Sequence, residues 1–152
     1  MRVPVLSTAE RAFLGDARRA VLATIAPDGR PRPVPVCFVL DPVQPILYSP
    51  LDEKPKTVDD PLALARVRDL EADPRVSVLV DRWDEDWNGL AWLRAQGQAR
   101  LLRPGDGAAE HAAAIRALRA KYSQYASHDL ESRPIIRVAI ERVTSWGALD
   151  AG

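Results

Sequence analysis

Residues 20–40 read AVLATIA, PDGR and PRPVPVCFVL in succession, and this order predicts a β-hairpin. The first run is rich in residues that favour strands. The four residues that follow, PDGR at 27–30, have the composition of a tight turn. The second run carries proline at alternate positions, 31, 33 and 35, so one row of its backbone lacks N–H groups. We expect that row to face a sheet edge, a bulge or a ligand.

The flanking segments extend this hairpin into a mainly β domain that spans residues 1–152. Ser7 and Glu10 have the spacing of a capping box and predict a helix over 8–19. A short strand is expected at Ile46–Ser49, and helical spacing follows from Pro61 to Ala72. The other expected elements are a strand at 75–81 that is covered on both faces or nearly so, a strand at 90–102, a helix at 108–122 and a last strand at 134–147.

The order of these elements predicts an α+β fold of the mainly β type. Six or so antiparallel strands, with the core strands within 20–102, would form a small β-barrel. Helices would cover it at the N-terminus, after the third strand and before the last strand. Gly97 lies inside the long strand predicted at 90–102, where glycine is typical of a bulge or a close backbone approach.

Composition excludes several classes of function. The chain has 21 Lys and Arg against 21 Asp and Glu, so its zero formal charge gives no general attraction to nucleic acid or to an anionic membrane. The single cysteine, Cys37, excludes an intramolecular disulfide and is expected to act as a small buried hydrophobe. His111 and His128 lack metal-ligand spacing, so no metal site is predicted, and His111 is expected at the surface. No apolar run is long enough to cross a bilayer, and we expect a cytoplasmic protein.

Two of the three lysines in the chain fall within one tripeptide, Lys54-Pro55-Lys56. Because Pro55 favours extended backbone around it, both ammonium groups are expected on the same side of the chain. An anion such as a phosphate would relieve their repulsion, and Thr57 would add a hydroxyl donor. The alternative is a solvated turn in which the neighbouring acids neutralise the lysines.

The loop at 82–89 carries Trp83 and Trp87 beside three acidic residues. These rings either cover the barrel end or a partner subunit, or they line a ligand pocket, and we favour the interface. No local motif for a nucleophile, a phosphate loop or a dinucleotide fingerprint is present, so the catalytic residues stay unknown. An anion site on a β-barrel suits a phosphate-bearing cofactor that brings its own chemistry.

Several short motifs follow one another between residues 20 and 146. They are Val34-Pro35-Val36-Cys37-Phe38, Tyr48-Ser49, Asp52 to Thr57, Asp73 to Ser77, Val80-Asp81, Asp84 to Trp87 and Trp92 to Gly97. Together they resemble the pyridoxamine 5'-phosphate oxidase-like split β-barrel superfamily. Within it, their order is most similar to that of the probable coenzyme F-420 (deazaflavin) dependent oxidoreductases.

The resemblance implies a six-stranded split barrel of the FMN-binding type that forms a homodimer, with the cofactor at the subunit interface. It assigns phosphate binding to Lys54 and Lys56, with Ser49 and Thr57 as hydroxyl donors. The flavin-like ring would lie against the backbone of the second strand. The residues that this places in the site are Pro35, Val36 and Cys37, with Trp83, Trp87 and Trp92 near the interface.

The function implied by the resemblance is hydride transfer between coenzyme F-420 and a small organic substrate, with Tyr48 or a water as the proton donor. Two alternatives stay open. One is an FMN-binding flavoprotein of the pyridoxamine-phosphate-oxidase type, and the other is a non-catalytic protein that binds a cofactor or another small ligand. Neither nucleic acid nor a membrane is an expected partner.

Overall fold

The structure, a computed structural model of the chain, describes residues 5–51 and 64–150. Its helices are α1 (Thr8–Asp16), α2 (Ala65–Ala72) and α3 (Ala108–Lys121). Its strands are β1 (Ala20–Ile25), β2 (Pro31–Val36), β3 (Val39–Leu40), β4 (Ile46–Pro50), β5 (Arg75–Arg82), β6 (Ala91–Leu102) and β7 (Ile135–Gly147). All strand pairs are antiparallel, and they form one sheet in the order β2-β1-β5-β6-β7-β4-β3.

The strand order shows why this sheet is rolled into a barrel. β2 and β3 lie at opposite edges of the sheet, yet only Cys37 and Phe38 separate them in sequence. A link of that length spans roughly 11 Å even when fully extended. The two edges are therefore held close together, and the mainly β barrel with helical covers is confirmed.

One strand of the prediction is divided in the structure. Residues 31–40, expected to form a single strand, pair with β1 as far as Val36 and with β4 from Val39. This division gives seven strands instead of six. The physical reason is that one extended segment serves both edges of the sheet and must change partners between them.

The predicted hairpin of β1 and β2 is confirmed. Its turn includes Gly29, whose φ of 85° is a conformation that glycine adopts without strain. The three prolines of β2 pair in register with Ile25, Ala23 and Val21 of β1. Because proline has no N–H to donate, the alternate residues of β2 donate the hydrogen bonds to β1. The backbone nitrogens of the prolines face outward at the sheet edge.

The helices follow the predicted positions with one shortened end. The capping box of α1 is present, because the Ser7 side chain accepts from the Glu10 N–H and the Glu10 side chain accepts from the Ser7 N–H. That helix ends at Asp16 rather than Arg19, since Ala17 is already extended. The expected ends of α3 and β7 differ from the structure by one residue.

The core consists of two clusters on either side of the sheet. The barrel interior is filled by strand residues together with Leu14 of α1 and Val67 and Leu70 of α2. The second cluster packs α3, through Ile115 and Leu118, against the outside of the barrel.

Burial corrects two predictions. His111 is buried, not at the surface, and its Nε2 lies 2.8 Å from the Arg133 carbonyl oxygen. Only one face of β5 is covered, and Leu79 on its other face is 42% exposed. The local sequence pattern predicts neither the burial of His111 nor the exposed face of β5, because burial depends on which elements pack against a residue.

No helix within the described residues is both long and apolar enough to span a membrane.

Gly97 is the point at which β6 changes register with β7. A Cβ atom at this position would lie 1.9 Å from the Ala139 carbonyl oxygen. Since both the obstruction and the bulge are backbone features, no side-chain movement can make room. The prediction of a bulge with close backbone approach is confirmed.

We therefore expect Gly97→Ala to lower the free energy of unfolding by roughly 2–3 kcal/mol, in the upper range for overpacking. Chemical denaturation would measure it. Gly15→Ala is the matched control, because a Cβ atom added at Gly15 in α1 would meet nothing within 4 Å. Because alanine has a higher helix propensity than glycine, the stability of that control variant should be unchanged or slightly higher. Equal destabilisation by both variants would contradict the assignment.

Candidate functional site

Cys37 and Phe38, which join β2 to β3, lie outside the strand ladders, so their backbone groups form hydrogen bonds with other partners. The Phe38 N–H donates to the Tyr122 hydroxyl at 3.1 Å. The same hydroxyl lies 3.1 Å from the Phe38 carbonyl oxygen and 3.0 Å from that of Arg18, either of which can accept its proton. Tyr122 therefore satisfies backbone groups that would otherwise be buried without partners.

The Ser49 hydroxyl completes this arrangement by donating to the Cys37 carbonyl at 2.8 Å. We call Cys37, Phe38, Ser49 and Tyr122 the strand switch. Ser49 is buried, so in this arrangement its hydroxyl is committed to the backbone.

The structure places four of the predicted cofactor residues in one region. Pro35 and Val36 end β2 directly before Cys37, and Ser49 joins them from β4. Pro35 is exposed, and Val36 and Cys37 are half-buried. The other three predicted residues, Lys54, Lys56 and Thr57, lie outside the described residues.

Lys121, at the end of α3, borders the strand switch and was not assigned a role from the sequence. Its Nζ lies 4.0 Å from the centre of the Phe38 ring. That nitrogen is buried and has no hydrogen-bond partner among the described residues. Burial, with the charge of Arg18 nearby, lowers the pKa of Lys121 to about 8. The only sequence signal was its rarity as one of three lysines.

Tyr48 lies on the opposite side of β4 from Ser49 and packs against the α3 cluster. Its hydroxyl donates to Glu110 Oε2 at 2.5 Å. Burial and this hydrogen bond raise the pKa of Tyr48 well above its ordinary value. The arrangement commits the tyrosine proton to Glu110, so it disfavours Tyr48 as the proton donor of a reaction.

A separate cavity of about 690 Å³ lies between α2 and the β1–β2 hairpin and contains three guanidinium groups, from Arg32, Arg68 and Arg75. Two of them are paired with acids. Arg32 donates to the buried Asp69 at 2.8 Å, and Arg75 donates to Asp73. The cavity therefore carries less available positive charge than its arginines suggest.

Aromatic residues gather on the outward face of β5, β6 and β7. Trp92 and Trp146 are register partners on neighbouring strands, and Trp146 is 53% exposed. Trp83 and Trp87, in the loop after β5, are exposed as well. We call these four tryptophans and Leu79, whose partner on β6 is the exposed Arg94, the aromatic face.

Comparison with known proteins is consistent with this architecture. Residues 6–147 match the sequence model of a family described as pyridoxamine 5'-phosphate oxidase. The chain belongs to the pyridoxamine 5'-phosphate oxidase family. No curated protein matches the sequence.

Solved structures show the same split-barrel fold. A conserved hypothetical protein of Mycobacterium tuberculosis has a TM-score of 0.71 at 21% identity, and the alignment covers 97% of this chain and 89% of that one. An FAD-binding protein of Mesorhizobium loti has a TM-score of 0.64 at 25% identity over 92% of both chains. A heme-binding protein of Mycobacterium smegmatis has a TM-score of 0.68 at 22% identity and is covered over 56% of its length, against 97% of this chain.

The sequence model shows the family, and the solved structures show its split-barrel fold. The family includes oxidoreductases, but the fold by itself assigns no activity.

Removing the Tyr122 hydroxyl should weaken the strand switch. We expect Tyr122→Phe to cost about 1–3 kcal/mol of unfolding free energy, because the Phe38 N–H is left buried without an acceptor. Hydrogen exchange of the Phe38 amide should accelerate. Ser123→Ala, at the exposed neighbouring position, is the control. Unchanged exchange at Phe38 in Tyr122→Phe would show that the hydroxyl does not secure the switch.

Proposed function

We propose that the protein is an oxidoreductase that binds coenzyme F-420 and transfers a hydride between this deazaflavin and a small organic substrate. The observation that carries the proposal is the strand switch. It brings Ser49 of β4 and Tyr122, which follows α3, to the end of β2, at the position that the family resemblance gives to the cofactor ring. When bound, the deazaflavin would supply the redox chemistry, and the chain would bind and orient it.

The free edge of β2 fits one side of a flavin-type ring. The prolines at 31, 33 and 35 direct no N–H outward, while the carbonyl groups of the same residues point away from β1. This edge therefore offers acceptors and no donors at those positions. Such an edge suits a heterocyclic N–H, which flavins and deazaflavins both carry.

Lys54 and Lys56 are proposed to hold the phosphate. They follow β4 in sequence, and the last described residue before them, Leu51, is buried and accepts a hydrogen bond from Arg133 through its carbonyl. The chain thus leaves a fixed point close to Ser49 on its way to the two lysines.

FMN and FAD are the nearest alternatives, because the acceptor edge and the lysine pair recognise features that flavins share with F-420. The FAD-binding relative from Mesorhizobium loti supports a flavin-type cofactor. Heme fits the described residues less well. Of the two histidines, His111 is buried against the Arg133 carbonyl and His128 packs edge-on against Tyr125, so neither projects into a described cavity.

We further propose that two copies associate through the aromatic face, which would place the cofactor at the subunit interface. Exposed aromatic and apolar side chains are enriched at the centre of interfaces.

The cofactor proposal is tested by titrating the purified protein in parallel with F-420, FMN and heme, following tryptophan and cofactor fluorescence. We expect saturable micromolar or tighter binding of F-420 and weaker binding of FMN. Lys54→Ala and Lys56→Ala should each weaken F-420 binding by about fivefold or more, because a charge-assisted contact is lost. Arg30→Ala, a highly exposed cation in the hairpin turn, is the control. Tight binding of FMN alone, or lysine variants that bind F-420 like the parent, would reject the assignment.

The association proposal is tested by Leu79→Asp, which places a charge in the aromatic face. Sedimentation should show a dimer for the parent protein and a shift toward monomer for this variant, because the charge would be desolvated in the interface. Val43→Asp is the matched control, since Val43 is 81% exposed in the β3–β4 turn, away from that face. A monomeric parent protein would overturn the proposal, as would equal dissociation of both variants.

A further inference from the structure

A cavity of about 480 Å³ lies between α3 and the strands β3 and β4, apart from the residues of the strand switch. Its volume is within the range of small-molecule sites. The apolar wall combines Val39, Leu40 and Pro42 with alanines 109, 113 and 117, which share one face of α3. The polar wall is formed by Tyr48, Glu110 and Arg137.

The polar wall has hydrogen-bonding capacity that the protein leaves unused. The Glu110 carboxylate accepts two bonds on the same oxygen, Oε2, from Tyr48 at 2.5 Å and from Arg137 Nε at 2.8 Å. A side-on arginine–carboxylate pair normally joins both oxygens to two nitrogens. Here no hydrogen bond between described residues reaches Glu110 Oε1 or either Nη atom of Arg137.

The two residues present opposite charges side by side. Burial alone would raise the pKa of Glu110, but the hydrogen bonds from Arg137 and Tyr48 and the charges of Arg137 and Arg100 lower it below its ordinary value, so the carboxylate is ionised at neutral pH. Asp41 also lines the cavity, and its carboxylate already accepts the N–H groups of Val43 and Gln44. A ligand with a net charge of either sign would meet a like charge in this wall.

A neutral molecule with an adjacent N–H and C=O matches both unused groups. Its N–H can donate to Glu110 Oε1, and its carbonyl can accept from an Arg137 Nη. We propose that this cavity is a second binding site, for a small neutral ligand that carries a primary amide or a lactam on a flat apolar ring.

The walls that would hold such a ligand are fixed by other contacts. Arg11 of α1 donates to the backbone carbonyls of Asp41, Val43 and Gln44, with distances from 2.7 to 3.3 Å. Tyr48 is 4% exposed and pairs with Arg137 in the β4–β7 register. The cavity is therefore built from anchored elements, which keeps the entropic cost of binding low.

Nicotinamide is a suitable probe, because it joins a primary amide to a flat ring. Its binding would be followed by calorimetry and by amide chemical shifts of the ¹⁵N-labelled protein, with benzoate and benzylamine as anionic and cationic comparators. We expect saturable nicotinamide binding, with shifts concentrated at residues 39–44 and in α3, and binding of both charged comparators weaker by about tenfold or more.

Two variants localise the site. Ala113→Phe would fill the cavity from an exposed helix position and should weaken nicotinamide binding by about tenfold or more. Ala112→Phe is the matched control, since Ala112 is also exposed but does not line the cavity. Arg137→Lys should weaken binding similarly, because lysine is not a planar fork.

The proposal is overturned if nicotinamide fails to bind saturably, if Ala113→Phe binds it like the parent, or if a charged comparator binds as tightly. This result is separable from the cofactor proposal. Lys54→Ala and Lys56→Ala should leave nicotinamide binding unchanged, and failure of the parent protein to bind F-420 would count only against the proposed function.

Discussion

The short link between β2 and β3 is the constraint on which the rest of the structure depends. Because Cys37 and Phe38 alone join strands at opposite edges of the sheet, the sheet has to roll until those edges come close together at this link. Rolling it creates the interior that Leu22, Leu93 and Ile136 fill. It also leaves backbone groups at the link without ladder partners, which is why Tyr122 and Ser49 are needed there.

Helix α3 serves both the closure of the barrel and the second cavity. Tyr122 follows directly after its last residue and secures Phe38, and Glu110 in its first turn is tied to Tyr48 and Arg137. Between these ends, Ile115 and Leu118 pack against the barrel, whereas the alanines of the neighbouring face leave space. Helix α3 thus lies next to both the strand switch and the cavity.

The described residues that could do strong chemistry are mostly committed to the fold. Tyr48 donates to Glu110, Ser49 to a backbone carbonyl, and the buried Asp69 accepts from Thr24 and Arg32. Such a chain is better suited to holding a reactive cofactor than to supplying its own nucleophile or base. This agrees with the lack of a catalytic motif in the sequence and with membership in the pyridoxamine 5'-phosphate oxidase family.

Features set by neighbouring residues were predictable from the sequence. The capping box of α1, the turn around Gly29 and the bulge at Gly97 each depend on backbone preferences within a few residues. The last strand was predicted to within one residue of its observed bounds for the same reason, since its buried side chains alternate along the chain. The lysine pair stays a prediction, because Lys54 and Lys56 lie outside the described residues.

The sequence by itself determined the local elements, the class of fold and the family resemblance. The reason is that the spacing of hydrophobic residues and the residue preferences of turns depend only on nearby positions in the chain. Only the tertiary structure decided that residues 31–40 divide between two edges of the sheet and that His111 is buried. It alone joined Tyr122 to Phe38, 84 residues away, and Tyr48 to Glu110, 62 residues away. Such contacts arise from the packing of whole elements, for which no local pattern carries a signal.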